Sequence, residues 1–470
     1  MTEPAVATRA LVDFIICTRW PDIPPEVVAL SKRCLIDGLG VMLAGSTTRG
    51  SEILREYMQP GEAKTDATIF GPAPFRASAA TAALVNGASG HALDFDDTQL
   101  STTADRIFGL LTHPTIPPLA AALALAEREG ASGARFLEAF MVGFEVECKI
   151  AEAIHPNHYK KGFHSSGTVG TFGAAAAAAT LLRLDAGATA HALAIAASLS
   201  AGIRVNFGTM TKPLHVGRAS QNGVLAAELA ARGFTGGGDA LDGPWGFFEV
   251  FSFSGGFDPA RIVGVLGQPW CIVSPGVSIK PYPCGVLGHP SMDAMRTLVT
   301  EHDVAPSQIA AIRLRAGSNI LNPLRYAVAQ SELEAKFCPA FMLSSIALRR
   351  KAGIHEFTDA FVTSPPVQAM MRRVTTILDP EIEARGFEKI RSTVEVDLVD
   401  GRRLVQHADE RYRGGPDHPF TRDEVHEKFT ECADLVLAPG AITEALAVLE
   451  SIDEVADIGH LVRALAAPRG

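Results

Sequence analysis

The chain has 470 residues, of which 47% are hydrophobic, and its mean hydropathy is +0.16. Its formal net charge of −10 and the lack of a basic block exclude a nucleic-acid surface as the organising feature. No apolar run reaches the ~18–20 residues that a bilayer span requires, and Met-Thr-Glu-Pro-Ala lacks the basic start of a secretion signal, so a soluble cytoplasmic protein is expected.

In chain order, Val6 to Arg19 and Pro25 to Leu43 read as helices, the second marked by Pro24 and Pro25. Residues 46–75 are polar and broken by Gly and Pro, with one short apolar piece at Ala67 to Phe70. A helix from Ala77 to Ala92 runs into His91-Ala92-Leu93-Asp94-Phe95-Asp96-Asp97-Thr98. A polar loop, 99–111, then leads to Thr112-His113-Pro114. Helical spacing returns over Thr115 to Glu129, Phe136 to Ile154, Thr168 to Leu182 and 185–204. The Gly- and Ala-rich run from Thr168 has no polar face and must pack closely on several sides. Gly167, Gly170 and Gly173 follow no predicted strand and match neither a dinucleotide nor a phosphate-loop fingerprint.

Pro213 disfavours helix at Lys212 and suits a first turn, which predicts a helix opening near Leu214 and ending at Gly233. Lys212, His215 and Arg218 then lie near its positive end, a pattern suited to a carboxylate or phosphate, although solvated cations and a packed histidine would look the same. After about residue 270 the alanine runs stop. Ile309 to Arg315 and Thr393 to Leu398 alternate like strands, and Val399-Asp400-Gly401-Arg402 supplies a hairpin turn. Helical spacing resumes at Arg422 to Leu437, Ile442 to Leu449 and Val455 to Ala466. The expected architecture is mainly α: a large all-helical domain built from both ends of the chain, 1–270 and 409–470, with a smaller α+β lid domain, 271–408, inserted.

The seven cysteines, at 17, 34, 148, 271, 284, 338 and 432, form no C-x-x-C pair. That pattern argues against a zinc ribbon, a redox dithiol and a disulfide framework, and nothing in the spacing of Cys271, Cys284 and Cys338 suggests an iron–sulfur cluster. Asp94, Asp96 and Asp97 could hold magnesium or act as orienters and bases. A diphosphate enzyme would need a second acidic cluster and an aromatic cavity, and neither is evident, so one functional aspartate and two local hydrogen-bonding ones are expected. His113, His164 and Lys212 each sit in a short loop before an alanine-rich helix, where a histidine tends to stay neutral. Three helix openings can therefore converge on one pocket. Lys280, in the stiff run Lys280-Pro281-Tyr282-Pro283, could be presented across a cleft or sit in a linker. Glu334-Ala335-Lys336-Phe337 begins a helix whose charges could be a solvated face.

Six of these segments, His91–Thr98, Thr112–Pro114, Gly162–His164, Thr211–Gly217, Ile279–Cys284 and Glu334–Phe337, resemble the MmgE/PrpD family in order over most of the chain. That family includes 2-methylcitrate dehydratase, cis-aconitate decarboxylase and iminodisuccinate epimerase. The resemblance implies a homodimer and metal-free, cofactor-free chemistry on a small di- or tricarboxylate between a helical domain and a lid. It places Asp94, Thr98, His113, His164, Lys212 and Lys280 on active-site positions, with Cys284 and Tyr326 as pocket neighbours, and His215 is a further substrate-binding candidate. Two departures stand out: the loop between Thr98 and His113 is longer than in decarboxylase-like members, and Gly285 stands where the decarboxylase carries a histidine.

The implied chemistry is proton abstraction next to a carboxylate, with Lys212 and Lys280 holding carboxylates, His113 or His164 as base and Asp94 as orienter. Dehydration is the leading expectation and epimerisation of a substituted succinate the runner-up. Decarboxylation is disfavoured by Gly285, and an inactive helical binding protein or a magnesium-dependent diphosphate enzyme are readings of other classes.

Overall fold

The computed structural model describes residues 6–59, 65–101, 111–252, 256–386 and 389–469. The 99–111 loop named above falls largely outside the described residues. Among these residues the chain is mainly helical, and no helix is long and apolar enough to cross a membrane.

Capping chemistry sets several boundaries. Ser78 accepts from the Thr81 N–H at the start of Ala79–Ala92, Ser132 accepts from Arg135 before Gly133–Ile154, and Asp185 accepts from Ala188 before Ala186–Leu199. Proline occupies the first turn of Pro25–Gly45 and Ile116–Glu129, where its missing N–H costs nothing. The helix carrying Lys212 runs Thr211–Ala230 and so opens three residues earlier than Pro213 suggested. Pro213 is its third residue, where the amide has no intrahelical acceptor to lose, so Lys212 lies inside the first turn rather than before it.

Two buried helices cross almost backbone to backbone. A Cβ added at Gly217 would lie 2.3 Å from the Leu84 carbonyl oxygen, and one at Gly87 would lie 3.1 Å from the Gly217 Cα. Only glycine permits that approach, and it brings the C-terminal end of Ala79–Ala92 beside the N-terminal turn of Thr211–Ala230. The alanine-rich helix Gly170–Leu181 is buried throughout, as its lack of a polar face required.

The helical portion is not strictly all-helical. Ala67–Ile69 (β1) and Phe75–Ala77 (β2) form an antiparallel pair, and Arg49–Met58 is a helix in a stretch read as irregular. That helix is only ten residues long, charged along its length and exposed at Ile53 and Tyr57, so the short i, i+4 repeat of its apolar residues does not stand out from the broken stretch around it. The second sheet runs β4-β3-β5-β6, with β3 Ile309–Ala316, β4 Val374–Leu378, β5 Ser392–Leu398 and β6 Arg403–His407. β3 and β4 are parallel and the other pairs antiparallel. The expected hairpin turns at Gly401, whose φ of 90° suits glycine. β4 escaped the sequence reading because neither face is buried: its two half-buried residues, Val374 and Ile377, lie on opposite faces. Near the C-terminus the helix expected over 455–466 is shortened to Gly459–Leu465, after a single 3₁₀ turn at Ile452–Glu454.

One apolar core joins residues from Ile23 to Ala227 with Phe420 to Leu465, and takes in Trp270, Cys271, Ile272, Ile279 and Ile354, so both ends of the chain pack together. A second is built almost wholly from residues 282–412, with Leu100 and Phe207 reaching into it. The polar centre lies where these two cores meet.

Candidate active site

The centre is organised by the loop that leaves Ala79–Ala92. Asp94 has φ of 51°, a left-handed conformation that costs a non-glycine residue of order 1 kcal/mol and that aspartate tolerates better than most. Lysines from three separate elements hold the carbonyls of this helix end: Lys336 donates to Ala92 O at 3.1 Å, Lys280 to Asp94 O at 2.8 Å and Lys428 to Phe95 O at 2.8 Å. Cations suit the negative end of a helix, and here they fix its exit. Lys428 also pairs with Asp37 at 2.6 Å and lies 3.8 Å from the Phe95 ring centroid. Thr98 exchanges both backbone hydrogen bonds with Ser278, 3.0 and 2.8 Å, which ties the acidic loop to the segment bearing Lys280.

The Asp94 carboxylate is shared by two ammonium groups. Lys212 Nζ donates to Oδ1 at 2.7 Å and Lys280 Nζ to the same oxygen at 3.0 Å. Burial alone would raise the Asp94 pKa, but the two lysines hold it well below the usual carboxylate range. Lys212 itself is lowered by burial, against the opposing pull of Asp94. Its Nζ also donates to His91 Nε2 at 2.8 Å, so His91 carries its proton on Nδ1, which donates to Asp96 at 2.8 Å. Burial, with Lys212 nearby, keeps His91 neutral.

His113 stands against the same group. Its Nδ1 donates to the Asp97 carbonyl at 2.9 Å, leaving Nε2 with its lone pair 3.9 Å from Asp94 Oδ1. Its own N–H is held by Ser166 Oγ at 2.8 Å, and burial pulls its pKa well below that of a free imidazole. His164 meets His215 through Nδ1 at 3.0 Å, and its ring stacks 5.5 Å from His91. Among the described residues His164 Nε2 is buried without a hydrogen-bond partner, as is Thr98 Oγ1. Burial lowers His164 well below its ordinary value and moves His215 down to about 4. The other two acidic residues bond locally: Asp96 to His91, and Asp97 to the Thr115 hydroxyl at 2.7 Å, with burial raising Asp97 to about 7.

A small cavity opens on this group, lined by Asp94, His113, Lys212 and Lys280 together with Tyr159, Phe207, Phe337 and the 285–287 and 323–324 segments. The Phe207 and Phe337 rings lie 5.1 and 5.5 Å from Lys212 Nζ. The three helix openings thus converge, with His164 one layer behind the lining. Arg218 does not join them: it is exposed and bonds Gln221, so the cationic triplet of the Lys212 segment is not one anion site. Cys284 points its Sγ at Met292 Sδ, 3.7 Å away, inside the second core. Tyr326 lies behind the wall, its hydroxyl 3.4 Å from the Phe207 carbonyl. Lys336 is buried and pairs with Glu332, so its charge is not a solvated helix face. Sequence reasoning passed over His91, Lys428, Tyr159 and Phe207. His91 alone had a signal, since it opens the acidic run.

His91, Asp94, Asp96 and His113 bring one ligand atom each within 4.8 Å of one another. A divalent cation there would have to displace the ammonium groups from Asp94 Oδ1 and His91 Nε2, so the donor set serves first to receive lysines.

Two family models cover the chain: the MmgE/PrpD N-terminal domain matches residues 9–260 and the MmgE/PrpD C-terminal domain residues 282–453. A cis-aconitate decarboxylase of Homo sapiens is 29% identical over 94% of this chain and 91% of its own length. One from Mus musculus is 28% identical over 94% and 90%, and one from Aspergillus terreus 23% identical over 95% and 93%.

Proposed function

The chain belongs to the MmgE/PrpD family, and from that premise we propose that it is a lyase acting on a small di- or tricarboxylate through a carbanion formed next to a carboxylate. The observation that carries the reading is the Asp94 carboxylate shared by Lys212 and Lys280 on the wall of an otherwise apolar cavity. A substrate carboxylate approaching the two ammonium groups gains charge-assisted hydrogen bonds that strengthen as negative charge spreads onto it from the adjacent carbon. Asp94 aims both buried lysines and, for Lys212, opposes the loss of basicity that burial causes.

His113 is the base. Its tautomer is fixed by the Asp97 carbonyl, and its neutral Nε2 is available at pH 7. In dehydration, His113 removes the proton next to the carboxylate, the electron pair forms the carbon–carbon double bond, and the hydroxyl on the next carbon leaves as water with the proton that His113 has taken up, delivered through a water. His164, whose buried Nε2 has no partner among the described residues, is assigned to orient that water. Thr98 Oγ1 is assigned to the substrate on the same ground.

Dehydration is preferred over decarboxylation because Gly285 offers no acid/base side chain at the position where the decarboxylase carries a histidine. Decarboxylation remains the second reading, supported by the names of the relatives, and it would pass through the same stabilised carbanion. A panel of hydroxy-acids and cis-aconitate separates them. Dehydration predicts a rise in ultraviolet absorbance from a new conjugated acid without gas release. Carbon dioxide from cis-aconitate, with no dehydration of any hydroxy-acid, would overturn the preferred reading.

A further inference from the structure

One more cation stands beside the cavity, and no carboxylate answers it. Arg204 opens the short 3₁₀ turn Arg204–Asn206, just before the helix that carries Lys212. Its backbone is held on both sides: the Arg204 N–H donates to the Gly162 carbonyl at 2.8 Å, and its own carbonyl accepts from the Phe207 N–H at 3.0 Å. Its half-buried side chain lies against two rings that line the cavity, the guanidinium carbon 3.8 Å from the Tyr159 ring centroid and 5.9 Å from that of Phe207. Nη1 donates to the Tyr159 carbonyl at 2.9 Å, which anchors the group over that ring. Nε is buried without a hydrogen-bond partner, and no carboxylate pairs with Arg204 among the described residues. Arg325, the other arginine of this edge, is exposed and donates to the Val205 and Phe207 carbonyls at 3.3 and 2.8 Å, so it holds the loop.

A buried charged donor left unpaired is costly, and a carboxylate matches the planar fork of arginine. Lys212 Nζ lies 5.1 Å from the Phe207 centroid and the Arg204 guanidinium carbon 5.9 Å from it, so the two cations stand within about 11 Å of each other. With a hydrogen bond of about 2.8 Å at each end, a small dicarboxylate can bridge that gap. Asp94 balances one of the two ammonium groups, Lys212 and Lys280, which leaves charge there for one substrate carboxylate. A further carboxylate needs a further cation. We infer that Arg204 is a substrate-binding, specificity-determining residue that takes a second carboxylate of the ligand whose first lies at Lys212 and Lys280. This inference rests on the carboxylate reading above and adds a residue to it.

The test is a calorimetric affinity series on the whole protein at pH 7 with butyrate, glutarate and tricarballylate, which carry one, two and three carboxylates on the same propane skeleton. In wild type, glutarate should bind at least about tenfold more tightly than butyrate, the scale of a hydrogen bond between charged groups. Arg204→Gln and Arg204→Met both remove the charge, the first keeping a donor for the Tyr159 carbonyl, and either one that folds reads the step. Each should shrink the glutarate advantage to within about threefold and weaken tricarballylate at least about tenfold, with butyrate within about twofold of wild type. Arg204→Lys should retain more of the advantage than either. Equal losses for butyrate and glutarate would mark a purely structural role and overturn the inference. So would an undiminished glutarate advantage in the neutral variants, which would give the second carboxylate to one of the lysines. Lys280→Met tests the carboxylate reading separately and should weaken all three acids. If it weakens none while the Arg204 variants behave as predicted, the role of Arg204 stands and the lysine assignment fails. If it weakens all three while the Arg204 variants match wild type, this inference alone falls.

Discussion

Two buried polar clusters lie within reach of the acidic loop, and they differ in what surrounds them. In the first, Asp94, Lys212, Lys280 and His113 line open space, and His164 Nε2 and Thr98 Oγ1 are left unpartnered among the described residues. In the second, on the helix Gly133–Ile154, Glu145 accepts from the Gly267 and Cys271 N–H groups at 2.9 and 2.7 Å. Glu152 accepts from Gln99 at 2.8 Å, from the Cys271 thiol at 3.5 Å and from Lys149 at 3.4 Å. Every oxygen of those two carboxylates has a donor. Burial of charge is common to both clusters, so it does not by itself mark a catalytic centre. The first is set apart by the cavity that Asp94, His113, Lys212 and Lys280 line. The second cluster instead stitches the 267–271 segment onto the helix.

The largest expected effect should fall on the first cluster alone. Lys212→Met or Lys280→Met is expected to lower kcat/KM by about 10³-fold or more, the scale of losing a preorganised charge from a developing oxyanion, with the folded state intact by circular dichroism. Comparable loss from Lys149→Met would break the distinction. Next in size, His113→Gln should reduce kcat by about 10²–10⁴-fold without raising KM to match, as loss of a general base does.

Titration sharpens the comparison. His289, buried in the second core with Nε2 3.2 Å from the Cys284 carbonyl, is lowered by burial to about 3. The unfolded chain, near the ordinary value of about 6.5, binds a proton that the folded chain refuses. Stability linked to His289 is therefore fully present above about pH 6.5 and is lost as pH falls toward 3, amounting to about 2–3 kcal/mol by pH 4.5. His289→Asn should flatten the fall in urea midpoint between pH 7 and 4.5 by that amount, and an unchanged slope would refute the linkage. The smallest effect belongs to the second cluster. Glu145→Gln leaves one buried N–H without its carboxylate and should cost about 1–3 kcal/mol in urea unfolding, with kcat within about twofold of wild type.

Much of the fold was legible because its signals are local. Ser78, Ser132 and Asp185 cap helices where periodicity begins, and Gly401 turns the β5–β6 hairpin. Arg49–Met58 and β4 were not legible, since both are short and largely exposed: the helix carries only two turns of apolar repeat among charges, and the strand has no buried face. Among the site residues, the helix-opening loops of His113, His164 and Lys212 could be read as convergent. The partners could not. Nothing local in Lys428 or Lys336 tells that each reaches a carbonyl at the end of a helix more than 200 residues away in sequence. Arg218 misled for the converse reason, because a helical face shared with His215 does not say which side meets solvent.

The central claim, that the Lys212–Asp94–Lys280 group supports a carbanion next to a carboxylate, is tested most directly by proton NMR in deuterium oxide. Wild type and Lys280→Met, matched for folded fraction, would be followed with 2-methylcitrate, malate and substituted succinates. The account predicts deuterium entering the carbon beside a carboxylate with wild type and at least about 10³-fold more slowly with Lys280→Met. Equal exchange by the two proteins would contradict it.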